Sequence, residues 1–269
     1  MKGTLYIVAT PIGNLKDLSL RAIEVLTKVE IIACEDTRHT GLLLKYIKEN
    51  YEAIRHSGKP RSAGRIQNLS AAHKQTSTLR DSGQARMTTL QPTLLSYYEQ
   101  NEVKRIPQIL NSLKNGVDVA LVSDAGTPTI SDPGFKLVRE CIVQGIKVES
   151  IPGPSSVISA LVVSGLPTDK FLFLGYLPKK QGKRKNLLNE LKSFETFKQI
   201  HPTIVFFEAP HRLIKTLEEL KEVFGDIEIV ICRELTKIHE EIRRSKISES
   251  IAHFTRVAPK GEFVILFHP

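Results

Sequence analysis

The chain has no tryptophan, only two methionines and only three cysteines among its 269 residues. Cys34, Cys141 and Cys232 are far apart and odd in number, and no Cys-x-x-Cys pair occurs. Neither a disulfide framework nor a cysteine zinc site is indicated, and a reducing cytoplasm fits. No apolar run approaches the roughly 20 residues of a membrane span. The first apolar run ends at Thr10-Pro11, too soon for a secretory leader. Gly-x-Gly-x-x-Gly after a strand and Gly-x-x-x-x-Gly-Lys-Ser/Thr are both missing, so dinucleotide and P-loop readings lack their phosphate cradle. Gly-x-Ser-x-Gly and His-Glu-x-x-His are missing too, which removes the hydrolase elbow and the zincin helix. Acidic residues are the scarce charge: 29 against 38 Lys and Arg, a formal net charge of +9. That balance favours polyanionic partners, nucleic acid above all.

What is present is a 41% hydrophobic chain long enough for one large or two modest domains. Its centre is Ser123-Asp-Ala-Gly-Thr-Pro-Thr-Ile-Ser-Asp-Pro-Gly134, between an apolar run from Val117 and an amphipathic segment, Phe135 to Val143. Strand, long Gly/Pro loop and helix follow one another, and ligands of open α/β sheets bind beyond such strand ends. Asp124 and Asp132 are acceptors suited to hydroxyls, amines or a cation. Structurally, Asp132 could instead cap the following helix.

Before the loop, Thr4 to Ala9 and Ile31 to Cys34 read as buried strands, with a helix between them capped at Asp17 or Ser19. A further helix carries Leu42, Leu43, Tyr46 and Ile47, and Thr93 to Tyr97 and Glu102 to Leu113 read as strand and helix. This alternation predicts a mainly parallel sheet. Residues 51 to 90 break the rhythm. They hold seven cations, Arg55 to Arg86, against Glu52 and Asp81, and read as a disordered insertion or long surface loop that could touch RNA phosphates. Lys147 to Ile151 is a strand, Ser156 to Val163 a helix, and Gly165 to Asp169 a junction between domains 1–165 and 166–269. In the second half, Phe171–Leu174, Thr203–Phe207, Ile227–Cys232, Ile238–Ile242 and Glu262–Phe267 read as strands of a mixed sheet. The fold class is α/β.

Several strand ends carry small residues, prolines and hydroxyls, suited to a backbone-lined pocket for a nucleoside-sized ligand. Val8-Ala-Thr-Pro-Ile-Gly-Asn-Leu15, Ala33-Cys-Glu-Asp-Thr-Arg-His-Thr40, Leu121-Val-Ser-Asp-Ala-Gly-Thr-Pro128, Ile130-Ser-Asp-Pro-Gly134, Ile151-Pro-Gly-Pro-Ser155 and Phe207-Glu-Ala-Pro-His-Arg212 closely resemble the ribosomal RNA small-subunit methyltransferase I family. That family is a branch of the tetrapyrrole methylase (class III) superfamily, and the resemblance covers nearly the whole chain outside 51–90. It implies two α/β domains with S-adenosyl-L-methionine in the cleft between them, a homodimer, and a cytidine 2′-hydroxyl in the decoding centre of small-subunit ribosomal RNA as acceptor. It also implies a cofactor pocket lined by Pro11, Ala125, Gly126, Thr127, Ile130, Ser155, Ser156, Phe207, Glu208 and Gly261. Many relatives carry a further helical region beyond the position of Pro269.

A ribose hydroxyl is a poor acid, so a carboxylate or histidine could assist by taking its proton. Asp36, His39, Glu208 and His211 are the candidates, with Arg38 beside Asp36 in the catalytic set. Arg38, His39, Arg212, Arg233 and Lys237 are candidates for contacting RNA. Two other readings stay open: the same fold acting on a small acceptor such as a tetrapyrrole, and an RNA-binding relative without catalysis. A metal-dependent hydrolase through Asp124 and Asp132 lacks a third ligand.

Overall fold

Short runs of β-branched and apolar residues, each closed by Gly, Pro or a polar turn, form the strands. In the first half these are β1 (Thr4–Val8), β2 (Ile31–Cys34), β3 (Thr93–Ser96), β4 (Val119–Val122) and β5 (Lys147–Ile151). They pair in the order β3-β2-β4-β1-β5, all parallel. The computed structural model describes residues 1–56, 92–193 and 199–269.

Side chains alternate across this sheet with the period of two that a strand imposes. Leu5 and Ile7 of β1 and Val119 and Leu121 of β4 face α3 (Glu102–Lys114) and α4 (Phe135–Val143). Val8, Ala120 and Val122 face α1 (Leu20–Lys28) and α2 (Thr37–His56). Ser19 caps α1 by accepting from the Ala22 amide at 3.1 Å. The chain leaving β1 crosses towards β2, while the chain leaving β4 crosses the other way to β5. The carboxyl ends of β1 and β4 therefore flank a topological switch point, where an open sheet leaves a crevice.

The second sheet is mixed, in the order β6-β7-β10-β8-β9. Its strands are β6 (Phe171–Tyr176), β7 (Thr203–Glu208), β8 (Glu228–Arg233), β9 (Glu241–Lys246) and β10 (Phe263–Phe267). Only β6 and β7 run parallel; the other pairs are antiparallel. One face packs on α6 (Gln181–Ser193), α7 (Leu213–Phe224) and α8 (Ile247–Arg256) through Leu188, Leu217, Leu220 and Phe254. The other face takes α5 (Ser156–Ser164): Val157, Ala160 and Leu161 join Ile12 of the first half against Val205, Val230, Val264 and Leu266. This shared core holds the two sheets together.

Three expectations need correction. The predicted strand at Ile238–Ile242 lies further on, at Glu241–Lys246, because Glu234 and Thr236 at φ 51° and 64° fold the chain into a turn first. Ile238 is 95% exposed. Its apolar character misled the reading, whereas the true strand is an edge rich in charge, as edges usually are. Residues 51 to 56, read as the start of an irregular segment, continue α2; residues 57–91 lie outside the described residues. Asp132 does not cap α4, which starts at Gly134 with no side-chain cap.

Candidate active site

The loop from Ser123 to Gly134 leaves β4 in a strained path. Gly126 and Gly134 have φ of 81° and 135°, and the non-glycine residues Thr129 and Ser131 also have positive φ, 75° and 64°. Each such residue costs about 1–3 kcal/mol and persists only where its surroundings force it. Here the loop is bound on several sides. The Thr10 amide donates to the Gly126 carbonyl at 2.8 Å, and the Gly126 amide returns a bond to Thr10 at 3.1 Å. The Thr127 hydroxyl donates to the Pro154 carbonyl at 3.1 Å. At Gly134 a Cβ would lie 2.6 Å from Leu121 Cδ2, so only glycine fits.

Three cavities meet on this loop. The smallest, about 70 Å³, is lined by Ala125, Gly126, Thr127, Ile130, Asp132, Ser155, Ser156, Val157 and Phe207. Seven residues of the expected cofactor pocket thus converge on one space from three separate chain segments. Ser155 also caps α5, accepting from the Ile158 amide. Ala125, Asp132, Ser156 and Phe207 also border a second cavity of about 250 Å³, whose far wall is Tyr176, Cys232, Leu235, Glu262 and Phe263 from the second half. Asp124, Ala125, Ile12 and Glu262 pass from there into a third, about 360 Å³, bordered by Pro11, Gly13, Leu15, His39, Leu42 and Lys237. Phe207 is held edge-on between Phe173 and Tyr176, at 4.9 and 5.5 Å between ring centroids.

The electrostatics of this space are acidic within. Burial, reinforced by the charges of Glu35 and Asp124, pushes the Asp132 carboxyl up to about 6, although the Ser123 hydroxyl opposes the shift. Burial, and then the Asp124 charge, also raises Glu35. Tyr176 is raised by burial and then by Glu262. Asp124 is occupied: it accepts from the Asp36 amide at 3.1 Å and lies 3.3 Å from His39 Nδ1. Asp36 accepts from the Arg38 amide at 2.8 Å and from its guanidinium at 2.6 Å. Those bonds hold the Asp36 carboxyl well below the usual carboxylate range, which suits an orienting group better than a base. Arg38 itself is exposed at the surface.

The remaining expected residues fall elsewhere. Glu208 turns its carboxylate away from the cleft: it is buried and accepts from the Ala209 amide, Arg212 Nε and the Thr216 hydroxyl. Arg212 is consequently tied down beside it, not free for phosphate. His211 is exposed on a short 3-10 turn, Pro210–Arg212, outside all three cavities. Gly261 packs against Glu234, whose Cδ would lie 2.5 Å from a Cβ there, and lines none of the cavities. Arg233 donates to the Lys260 carbonyl at 2.7 Å. Lys237 borders the largest of these three cavities but is paired with Glu234 and Glu262 at 3.0 and 2.9 Å. Glu35, Tyr176 and Leu235 were missed. Glu35 had a signal, as the first residue past the apolar run of β2; Tyr176 had none. Among the described residues no group of carboxylates, histidines and cysteines could hold a metal ion.

Comparison with known proteins bears on the same residues. Residues 4–250 match the family model for Tetrapyrrole (Corrin/Porphyrin) Methylases. A protein of Thermotoga maritima named ribosomal RNA small subunit methyltransferase I is 40% identical over 264 residues, 98% of this chain and 97% of its own. Proteins of that name from Synechocystis and Escherichia coli O157:H7 are 40% and 37% identical, with 78% and 77% of their lengths covered. Among solved structures, a cobalt precorrin-4 methyltransferase superimposes with a TM-score of 0.59 at 15% identity, covering 98% of this chain and 94% of its own. A Thermus thermophilus uroporphyrin-III C-methyltransferase, complexed with S-adenosylhomocysteine, gives 0.55 at 16%, with coverage of 98% and 97%. At those identities the solved structures speak to the fold alone.

Proposed function

The chain belongs to the tetrapyrrole methylases and, within them, to the ribosomal RNA small subunit methyltransferase I family, and from that membership we propose that it methylates the 2′-hydroxyl of cytidine 1402 in 16S ribosomal RNA. It is a methyltransferase, and its donor is S-adenosyl-L-methionine. The observation that carries the reading is the near-complete alignment with the Thermotoga protein, which runs through all the loops that build the cleft.

The cleft residues suit the donor chemically. Ile130, Val157 and Phe207 offer apolar and aromatic walls, the hydroxyls of Thr127 and Ser156 stand beside them, and the small residues Ala125 and Gly126 leave room between. The carboxylates of Asp124 and Glu35 suit a sulfonium and an ammonium. When bound, the donor supplies an electrophilic methyl group and a neutral thioether as leaving group. The chain's own part is to hold the acceptor oxygen in line at about 3 Å and to exclude water. Asp36 orders Arg38, and Asp124 orders Asp36 and His39, so one bonded chain sets the rim where the RNA enters. Arg38, His39 and Lys237 are the cations of that rim. The acceptor identifies the partner as the small ribosomal subunit and the setting as the bacterial cytoplasm.

We read 1–165 and 166–269 as two domains, with α5 closing the first at Gly165 (φ 79°) while packing on the second sheet. We also read the enzyme as a homodimer. Helix α5 is apolar on both sides, and its outer residues Ile158, Val162 and Val163 are 47%, 68% and 37% exposed. An isologous two-fold contact would bury that face.

The test is transfer of tritiated methyl from S-adenosylmethionine to small subunits from a strain lacking the modification, followed by nucleoside analysis. Label in 2′-O-methylcytidine is expected. Donor binding by calorimetry without any transfer to subunits would refute the ribosomal acceptor and favour a small one.

A further inference from the structure

The proposed reaction leaves open where the proton of the acceptor hydroxyl goes, and the sequence pointed to Asp36, His39, Glu208 and His211. The geometry removes three of them. Asp36 is held ionised by Arg38, Glu208 is sealed in the interior by Arg212 and Thr216, and His211 lies outside the cavities. His39 faces Asp124 at the rim of the largest of these three cavities.

The smallest cavity and the one next to it share four residues, Ala125, Asp132, Ser156 and Phe207. Asp132 is the only carboxylate of the four. Resting on the function read above, we propose that Asp132 is the catalytic base, taking the proton from the ribose 2′-hydroxyl where the two cavities meet. The hydroxyl oxygen forms its bond to the methyl carbon as the carbon–sulfur bond breaks. The electron pair of that bond stays on sulfur, and the proton passes to an Asp132 oxygen, which later releases it to water. No charge is created beyond what the donor brings, and no oxidant or metal is needed.

Three observations support this placement. The loop is strained on both sides of Asp132, at Thr129 and Ser131 before it and Gly134 after it, and that strain presents its carboxyl to the cleft rather than to the helix it precedes. The other acidic groups nearby are otherwise engaged: Asp124 bonds the Asp36 amide, and Glu262 is paired with Lys237. Glu35 borders the middle cavity only. The groups facing Asp132 are Glu35 beyond β2, Asp124 and Ser123 on its own loop, Tyr176 on β6 and Glu262 before β10. None is a cation, so the carboxyl stands at about 6, close to the ideal of a base that works near neutrality.

The experiment compares wild type, Asp132→Asn and Asp132→Glu in single-turnover methyl transfer to hypomethylated small subunits between pH 5 and 8.5. Calorimetry with S-adenosylhomocysteine is run alongside. The wild-type rate is expected to rise with pH and level off above about 6. Asp132→Asn is expected to lose roughly 10²–10⁴-fold in rate and the acid limb of the profile, while binding S-adenosylhomocysteine within a few-fold of wild type. Asp132→Glu is expected to recover part of the rate, with its own acid limb. A fast Asp132→Asn with an unchanged pH profile overturns the proposal. So does a variant whose only defect is lost S-adenosylhomocysteine affinity, which would make Asp132 a donor-binding group. A wild-type enzyme that transfers nothing to subunits at any pH would instead sink the functional reading on which the proposal rests.

Discussion

Replacing Glu208 by glutamine separates a residue that builds the site from one that performs its chemistry. Its carboxylate accepts three hydrogen bonds: from the Ala209 amide and Arg212 Nε at 2.7 Å each, and from the Thr216 hydroxyl at 2.6 Å. The side chain is fully buried, and that of Arg212 is only 13% exposed. Glutamine keeps the shape. Its carbonyl can still accept from Arg212 and Ala209, and its amide can donate to the Thr216 oxygen. What it loses is the charge opposite a largely buried guanidinium. Breaking a buried pair on one side costs about 3–5 kcal/mol, and the retained hydrogen bonds put Glu208→Gln near the lower end, about 3 kcal/mol. In a chain of this size that is roughly 6–12 °C in Tm. Urea denaturation measures the loss, and kcat per folded molecule, taken well below Tm, measures the chemistry. We expect kcat to stay within about threefold of wild type, because the carboxylate does not reach the cleft. Unchanged stability with kcat down a hundredfold or more would refute this reasoning and return Glu208 to the catalytic set.

Asp132 should also be visible in stability alone. Its folded value, about 6, lies above an unfolded carboxyl near 3.9, so the native state binds the proton more tightly. That contribution is fully present below the unfolded value and is lost as pH rises to about 6, leaving wild type weaker at neutrality. Allowing for the partial exposure of the carboxyl, Asp132→Asn should be about 1–2 kcal/mol more stable relative to wild type at pH 7.5 than at pH 4; equal differences in urea midpoint at the two pH values would contradict the shift. Arg184 and Glu219, 2% and 3% exposed, form a bidentate pair at 2.5 and 2.7 Å linking α6 to α7. Arg184→Met alone should cost about 3–5 kcal/mol in urea denaturation, and Arg184→Met with Glu219→Leu should recover most of it; a single variant within about 1 kcal/mol of wild type would show that the pair is solvated. Val162→Glu should convert the proposed dimer to a monomer in analytical ultracentrifugation, and a persisting dimer would place the contact away from α5.

Much of the fold was legible because its strands are short apolar runs between unambiguous breakers. Ile31–Cys34, Phe135–Val143 and Lys147–Ile151 have the bounds the pattern gives. The edge strand β9 was not, since an edge carries charge where a central strand carries Val and Ile, and exposed Ile238 imitated the pattern beside it. At the site, the small residues of the Ser123–Gly134 loop and Ser155-Ser156 could be read from the sequence because backbone approach demands small side chains wherever it occurs. The charged residues were harder. A glutamate at a strand end reads the same whether it faces the cleft, as Glu35 does, or the interior, as Glu208 does. Which of them meet depends on three crossovers and on the second sheet's approach, and no local pattern records that.

On the function proposed above, the same separation would let one cleft accommodate two ligands of opposite charge. Glu35 and Asp132 lie within, while Arg38, His39 and Lys237 stand at the entrance with Asp124 and Glu262 beside them. A phosphate backbone would be attracted by the rim and repelled by the carboxylates behind it, so the polyanion would stop where its ribose could still reach inward. The cationic donor would meet the reverse order and gain most at the deepest point. Raised carboxyls are a necessary consequence: acids crowded together out of water, with no cation among them, cannot all stay ionised. Arg38 keeps Asp36 charged at the margin. Asp132, which has no such partner, is left as the group whose protonation changes near neutral pH.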